Sequence, residues 1–96
     1  MKISNFKLIE VIKKGIFTRE HRATIDVTTG FFENGLFGTS FLKKKTITRE
    51  IYKQDLFWFY TDTGIHTPGL IVETLVRSFE AKMGKSLNDM EPSDVV

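Results

Sequence analysis

Residues Thr28–Ser40 read TTGFFENGLFGTS, and the dipeptide Asn34-Gly35 lies at the centre of this stretch. Asn-Gly tolerates the positive φ angles of a two-residue type I′ turn, so the stretch predicts a β-hairpin. A turn at this point would pair Phe32 with Phe37. Phenylalanine and leucine flank the turn on both sides, which makes the tip of the predicted hairpin unusually apolar.

The residues before the hairpin alternate between apolar and polar. Within Phe17–Thr28, FTREHRATIDVT, single polar residues separate Ala23, Ile25 and Val27. This period of two, rich in Thr, Ile and Val, predicts a strand with one buried face. Three further stretches rich in β-branched or aromatic residues predict strands: Ile3–Lys13, Phe41–Tyr52 and Leu56–Thr61.

The period changes after Thr67 and Pro68. Thr67 can cap the free amides of a helix, and Pro68 fits the first helical position. Apolar residues then recur at helical spacing until Gly84, which is suited to end the helix in the left-handed conformation. The recurring residues are Val72, Leu75, Val76, Phe79 and Met83.

The order of these elements predicts an α+β fold, a four-stranded antiparallel β-meander followed by one C-terminal helix (ββββα). At 96 residues the chain has room for one domain. We assign this domain to residues 1–84. Residues 85–96 are polar and acidic with a proline, and we expect them to form a flexible C-terminal tail.

Cysteine is absent, which excludes disulfides, thiolate metal sites and cysteine nucleophiles. The N-terminal stretch MKISNFKLIEVIKKG lacks the uninterrupted apolar core of a signal peptide. No stretch approaches the ~20 apolar residues of a membrane span. We therefore expect a cytoplasmic protein without a membrane partner.

Pairing the strands outward from Asn34-Gly35 predicts which residues share each face of the sheet. One set is expected to form the core under the helix: Phe6, Leu8, Ile12, Phe17, Ala23, Ile25, Val27, Leu42, Tyr52, Phe57 and Phe59. A second apolar set falls on the opposite face: Ile9, Val11, Ile47, Ile51, Trp58 and Tyr60. One helix covers only one face, and a large apolar patch marks a protein interface more often than a solvated surface.

We therefore expect this second set, together with Phe31 and Phe37 of the hairpin tip, to form the interface of a twofold homodimer. A hairpin tip that folds back over the same face is the alternative cover.

A basic run, Lys43-Lys44-Lys45, lies on the predicted third strand. Six basic residues are candidates for binding nucleic acid: Lys7, Arg22, Lys43, Lys44, Lys45 and Arg49. With the rings of Trp58 and Tyr60 they would supply cations for phosphates and stacking surfaces for bases. Lysines that blunt a sheet edge against aggregation are the simpler explanation. The ββββα order resembles that of Whirly-type and Pur-type single-strand-binding proteins, in topology alone.

No motif in the chain indicates catalysis. His21 lies on the predicted core face, and His66 and Asp62 lie in a stretch that also suits a turn and a helix start. The glycines do not form a phosphate-binding loop, and no further residues complete a metal site. We therefore predict no enzyme, no cofactor and no metal, but an interaction or assembly protein that binds a second copy or another protein. A single-stranded nucleic acid-binding protein is the alternative.

Overall fold

The structure, a computed structural model, describes residues 1–95, which form a four-stranded antiparallel sheet followed by one α-helix. The elements are β1 (Lys2–Lys13), β2 (Arg19–Asn34), β3 (Ser40–Gln54), β4 (Phe57–Tyr60) and α1 (Gly69–Met83). The strands lie in the order β1-β2-β3-β4, so each pairs with its neighbour in sequence. The predicted ββββα meander is confirmed.

The turn between β2 and β3 is longer than predicted. Phe32 pairs with Leu42 rather than with Phe37, and Gly35–Thr39 form a five-residue connection. The prediction of a two-residue turn at Asn34-Gly35 is therefore wrong.

The reason lies in the backbone conformation of the turn. Gly35 is extended, with a φ of −91°, whereas Phe37 and Gly38 adopt the positive φ angles. The hydroxyl of Thr39 donates a hydrogen bond of 2.8 Å to the carbonyl of Leu36, which closes the turn one residue beyond Gly38. The left-handed conformation thus falls later in the chain than the Asn-Gly signal indicates.

The longer turn shifts β3 by five residues relative to β2, and an odd shift turns every side chain of a strand to the other face. Ile51 therefore pairs with Ala23 on the helix side of the sheet. Trp58 and Tyr60 of β4 follow, because Tyr60 pairs with Ile51. All three are at most 7% exposed, so their assignment to a second, uncovered face is wrong.

Two irregularities in β1 bring unevenly spaced residues onto the same face. The register shifts between Leu8 and Glu10 and again nearer the N-terminus. Strict alternation would place Leu8 and Val11 on opposite faces of the sheet. An extra residue in β1, a β-bulge, brings both side chains to the same face. Ile3, Leu8 and Val11 are each 5% exposed, so Val11 belongs to the core and not to an outer surface.

The core lies between the sheet and α1, with contributions from the C-terminal segment. Its buried apolar residues are Ile3, Leu8, Val11, Ala23, Ile25, Val27, Ile51, Trp58, Tyr60, Val72, Val76, Leu87 and Met90. Phe6 packs edge-on against the ring of Trp58 at 5.5 Å and lies 5.4 Å from the ring of Phe79. The helix therefore faces the sheet through aromatic as well as aliphatic contacts.

Some of the expected core residues lie elsewhere. Those buried as predicted are Leu8, Ala23, Ile25 and Val27. Those exposed are Phe17, Leu42 and Phe57. Tyr52 and Phe59 stack at 5.5 Å on the face away from the helix, where both are half-buried. The departures of Leu42, Tyr52, Phe57 and Phe59 follow from the odd shift in register, whereas Phe17 is exposed because it lies in the turn between β1 and β2.

The face of the sheet away from the helix is largely polar. The carboxylate of Asp26 accepts hydrogen bonds from Asn5 (2.8 Å) and Thr48 (2.7 Å), and these two donors lower its pKa. The hydroxyls of Thr28 and Thr46 lie 2.8 Å apart across β2 and β3. One polar and one apolar face is the usual pattern of an antiparallel sheet.

The helix ends as predicted and begins differently. Gly84 ends α1 in the left-handed conformation, with a φ of 76°. Pro68 holds the N-cap position, and Thr67 does not cap the helix. The hydroxyl of Thr67 instead donates to the carbonyl of Trp58 at 3.2 Å, which fastens the start of the helix to β4.

The segment after the helix packs against the domain. Leu87 and Met90 are 2% and 0% exposed, and Glu91 forms ion pairs with Lys13 and Arg19. The buried core therefore extends past the predicted boundary at residue 84, and residues 85–95 contact the domain where the sequence predicted a tail of residues 85–96; Val96 lies outside the described residues. The sequence is polar on average, but Leu87 and Met90 complete the core and Val95 packs against it.

We predict that Met90→Ala lowers the free energy of unfolding by about 2–5 kcal/mol, because the substitution opens a cavity in the core. Met83→Ala is the matched control, since Met83 is 38% exposed and its loss should cost less than about 1 kcal/mol. Urea denaturation of both variants measures the difference. Equal effects would contradict the placement of Met90 in the core.

His21 predicts a dependence of stability on pH. Its side chain is 2% exposed, and its Nε2 lies 2.9 Å from the carbonyl of Leu87. Burial lowers the pKa of His21 below its usual 6.5, and the charges of Lys53 and Arg19 act in the same direction. The unfolded chain therefore binds more protons than the folded chain as pH falls through about 6.5.

We expect the free energy of unfolding to decrease between about pH 7.5 and pH 5.5, where His21 becomes charged in the unfolded chain. In His21→Gln this decrease should be smaller, because the amide can still donate to Leu87 but does not titrate. Urea denaturation at both pH values provides the measurement. An unchanged dependence in His21→Gln would show that other groups cause it.

Candidate functional site

Strands β2 and β3 continue together beyond the rest of the sheet. The pairing of β1 with β2 extends only to Lys2 and Thr28, and β4 pairs with β3 only between Ile51 and Gln54. Residues 29–45 therefore form a two-stranded hairpin without neighbouring strands, which we call the arm. The arm contributes to the elongated shape of the molecule, which measures 63 × 27 × 23 Å.

The arm exposes six large apolar side chains. Their exposed fractions range from 43% for Phe31 to 100% for Phe37. The six residues are Phe31, Phe32, Leu36, Phe37, Phe41 and Leu42. Such a cluster on a protein surface usually marks a site of interaction.

The apolar side chains surround the arm instead of sharing one face. Phe32 and Leu42 pair across the strands and lie on the same face. Phe31 and Phe41 are each one residue away, so they lie on the opposite face. Leu36 and Phe37 occupy the turn.

Three lysines follow the apolar residues towards the base of the arm. The Nζ of Lys43 forms an ion pair of 2.7 Å with the carboxylate of Glu33 and lies 5.4 Å from the centre of the Phe41 ring. Lys44 and Lys45 follow on alternate faces. The arm holds three basic residues and one acidic residue, whereas the rest of the chain holds eleven of each. The net charge of +2 therefore resides on the arm.

Phe37 has a strained backbone at the apex of the arm. Its φ of 64° and ψ of 28° place it in the left-handed region, which costs a residue with a side chain about 1–2 kcal/mol. The side chain is fully exposed, so no contact with the other described residues offsets this cost. Strain of this kind is typical of functional sites.

The structure brings together only part of the predicted nucleic acid-binding set. Lys43-Lys44-Lys45 lie together on the arm, but Lys7 and Arg22 lie on the polar face of the sheet. Arg22 approaches Glu10 and Glu20, each at 3.8 Å.

Arg49 is also engaged within the domain. It donates to Asp62 at 2.7 Å and stacks 3.8 Å from the centre of the Tyr60 ring. The buried rings of Trp58 and Tyr60 offer bases no stacking surface.

The predicted interface set is divided in the same way. Four of its members are buried: Val11, Ile51, Trp58 and Tyr60. Ile9 is half-buried, whereas Ile47, Phe31 and Phe37 are exposed. The sequence prediction omitted Phe32, Leu36, Phe41 and Leu42 from the interface. Their density around the turn was the available signal, but the two-residue turn assigned Leu42 to the core.

His66 and Asp62 have different partners. Asp62 accepts a hydrogen bond from Arg49, which lowers the pKa of its carboxyl group. The His66 ring packs against Phe59 and Phe57, with ring centres 4.4 and 5.2 Å apart. Within residues 1–95, no group of three or more His, Asp or Glu side chains has the arrangement of a metal site.

No protein-family model, curated protein or solved structure matches this chain. Among the residues described, no helix is long and apolar enough to cross a membrane. The arm therefore has to be interpreted from its own chemistry.

We predict that Phe37→Asn leaves the free energy of unfolding unchanged or raises it by up to about 1 kcal/mol, because asparagine tolerates the left-handed region. Phe17→Asn is the matched control, since Phe17 is 93% exposed and its φ is not positive. Chemical denaturation compares the two variants. A clear loss of stability in Phe37→Asn alone would show that Phe37 supports the fold.

Proposed function

We propose that the protein is a non-catalytic interaction module and that the arm is its binding element. The observation that carries the proposal is the combination of six exposed apolar side chains and the net positive charge on one projecting hairpin. Burying each large side chain against a partner contributes roughly 1.5–3 kcal/mol. Because the chain contains no cysteine, we include a reducing, cytoplasmic location in the proposal.

The arm contributes nothing to the buried core of the domain. Every core residue lies outside residues 29–45. An element that keeps six large apolar side chains at least 43% exposed, and adopts a strained apex, is better explained by a role in binding than by a role in folding.

The charge of the arm favours an anionic partner over a second copy. Two arms packed in parallel around a twofold axis that runs along them would bring Lys43, Lys44 and Lys45 close to their counterparts. Like charges across neighbouring strands are destabilising. Four of the six sheet residues that motivated a homodimer are buried within one chain, so self-association through the arm is the remaining form of that hypothesis.

Single-stranded nucleic acid is the second candidate partner. Lys43-Lys44-Lys45 lie beside the exposed rings of Phe31 and Phe41, and this combination suits phosphates and bases. Binding of this kind would weaken steeply with salt, because the bound lysines release counterions.

We predict that a chain in which residues 30–44 are replaced by Asn-Gly keeps the folded domain but loses binding. Its free energy of unfolding should lie within about 1 kcal/mol of the full chain, because no core residue is removed. Three probes test binding: a second copy by light scattering, a thymidine homopolymer by fluorescence anisotropy, and lipid vesicles by co-sedimentation.

The proposal requires the full chain to bind at least one probe and the shortened chain to lose that binding. A shortened chain that no longer folds would show that the arm is structural. Equal binding by both chains, or no binding to any probe, would also overturn the proposal.

A further inference from the structure

We infer that the arm docks on an anionic lipid surface, with its apolar tip in the boundary between headgroups and acyl chains. This inference rests on the proposed function and names the partner of the arm. It concerns contact with the surface of a membrane, which requires no membrane-spanning segment.

The first support is the order of side chains along the arm. Leu36 and Phe37 form the apex, and Phe32 and Leu42 lie behind it. Lys43 follows the end of the turn by four residues, which is about 14 Å along a strand. A tip that enters an interface by about 5–10 Å would bring the lysines to the level of the lipid phosphates.

The second support is that the apolar side chains point in all directions around the tip. A groove on a protein, a second copy or a nucleic acid strand would cover one face of the arm. Phe32 and Leu42 on one face, or Phe41 on the other, would then remain in water. A lipid layer surrounds an inserted tip on every side, so it is the partner that covers both faces together.

The third support is the distribution of charge. Lys43 and Lys45 lie on one face of the arm and Lys44 on the other, so both faces carry positive charge behind the apolar tip. Glu33 is the one acidic residue of the arm, and its carboxylate pairs with Lys43 at 2.7 Å. The tip therefore carries no uncompensated negative charge towards an anionic surface.

The backbone limits how deeply the arm can enter. Both edges of the arm lack a neighbouring strand, so their outward N–H and C=O groups need water or lipid headgroups as partners. Unpaired backbone groups are not tolerated within the hydrocarbon core. The geometry therefore fits shallow insertion of the tip.

The test compares vesicles of phosphatidylcholine mixed with phosphatidylglycerol and vesicles of phosphatidylcholine alone. The full chain should sediment with the anionic vesicles, and binding should weaken as salt is raised. Leu36→Ser/Phe37→Ser should reduce the partition coefficient at least tenfold. Ile16→Ser/Phe17→Ser is the matched control, because it removes two adjacent exposed apolar residues from the β1–β2 turn, at the opposite end of the sheet.

Lys44→Gln/Lys45→Gln tests the charge, with an expected loss of about fivefold in partition coefficient for each lysine. Lys7→Gln/Lys82→Gln removes the same charge from exposed positions outside the arm and should have a smaller effect. Equal losses in the arm variants and their controls would overturn the inference, because adhesion would then be non-specific.

Insertion can be separated from adsorption by placing an indole at the apex. The fluorescence of Phe37→Trp should shift to shorter wavelengths when anionic vesicles are added, whereas that of Phe17→Trp should not. Absence of the shift, or no vesicle binding by the full chain, would overturn the inference. Arm-dependent binding of the thymidine homopolymer or of a second copy, without vesicle binding, would overturn it while leaving the proposed function intact.

Discussion

The pairing of Ala23 with Ile51 determines the placement of the other strands. Both side chains are fully buried beneath the helix, and Ile51 is the one residue of β3 in the core. Once these residues face each other, Tyr60 has to join them through its pairing with Ile51. The core therefore selects the register of the sheet, and the hairpin turn adapts to that register with five residues instead of two.

The same register explains why an arm exists. Beyond Thr28 there is no residue of β1 left to pair with β2, and β4 pairs with β3 only at its far end. The remaining residues of both strands can pair only with each other. A ribbon of two strands has no layer to pack against, so its apolar side chains stay exposed whichever face they occupy.

Local signals sufficed to predict the elements of the fold. Alternation in β2 and helical spacing before Gly84 depend on neighbouring residues, which a sequence displays directly. The register depends on which distant side chains pack best, and local turn preference competes with that packing. The predicted register of β3 was wrong by five residues. Because five is an odd number, Ile51 and Trp58 were assigned to the wrong face of the sheet. The sequence does not reveal the irregularities of β1 for a similar reason, because they are defined by the pairing of β1 with β2.

The candidate site was predictable in part. The density of phenylalanine and leucine around Gly35 was evident, as was the lysine run. The sequence did not show that these residues project from the domain, because this depends on where the pairing of β1 and β4 with their neighbours ends. Leu87 and Met90 were missed because a polar average concealed two apolar residues. A short segment can thus belong to the core through very few side chains.

The position of these two residues has a consequence for biosynthesis. The carbonyl of Leu87 forms a hydrogen bond with His21, which lies 66 residues earlier in the sequence. The carboxylate of Glu91 accepts a hydrogen bond from Arg19, which lies 72 residues earlier. Contacts of such long sequence separation form late, since the intervening chain has to be ordered first. A chain that ends at residue 83 would contain the four strands and the helix but would lack Leu87 and Met90, which complete the core. Completion of the domain therefore has to wait until Met90 has emerged, and until then the incomplete core exposes apolar surface that a chaperone could recognise.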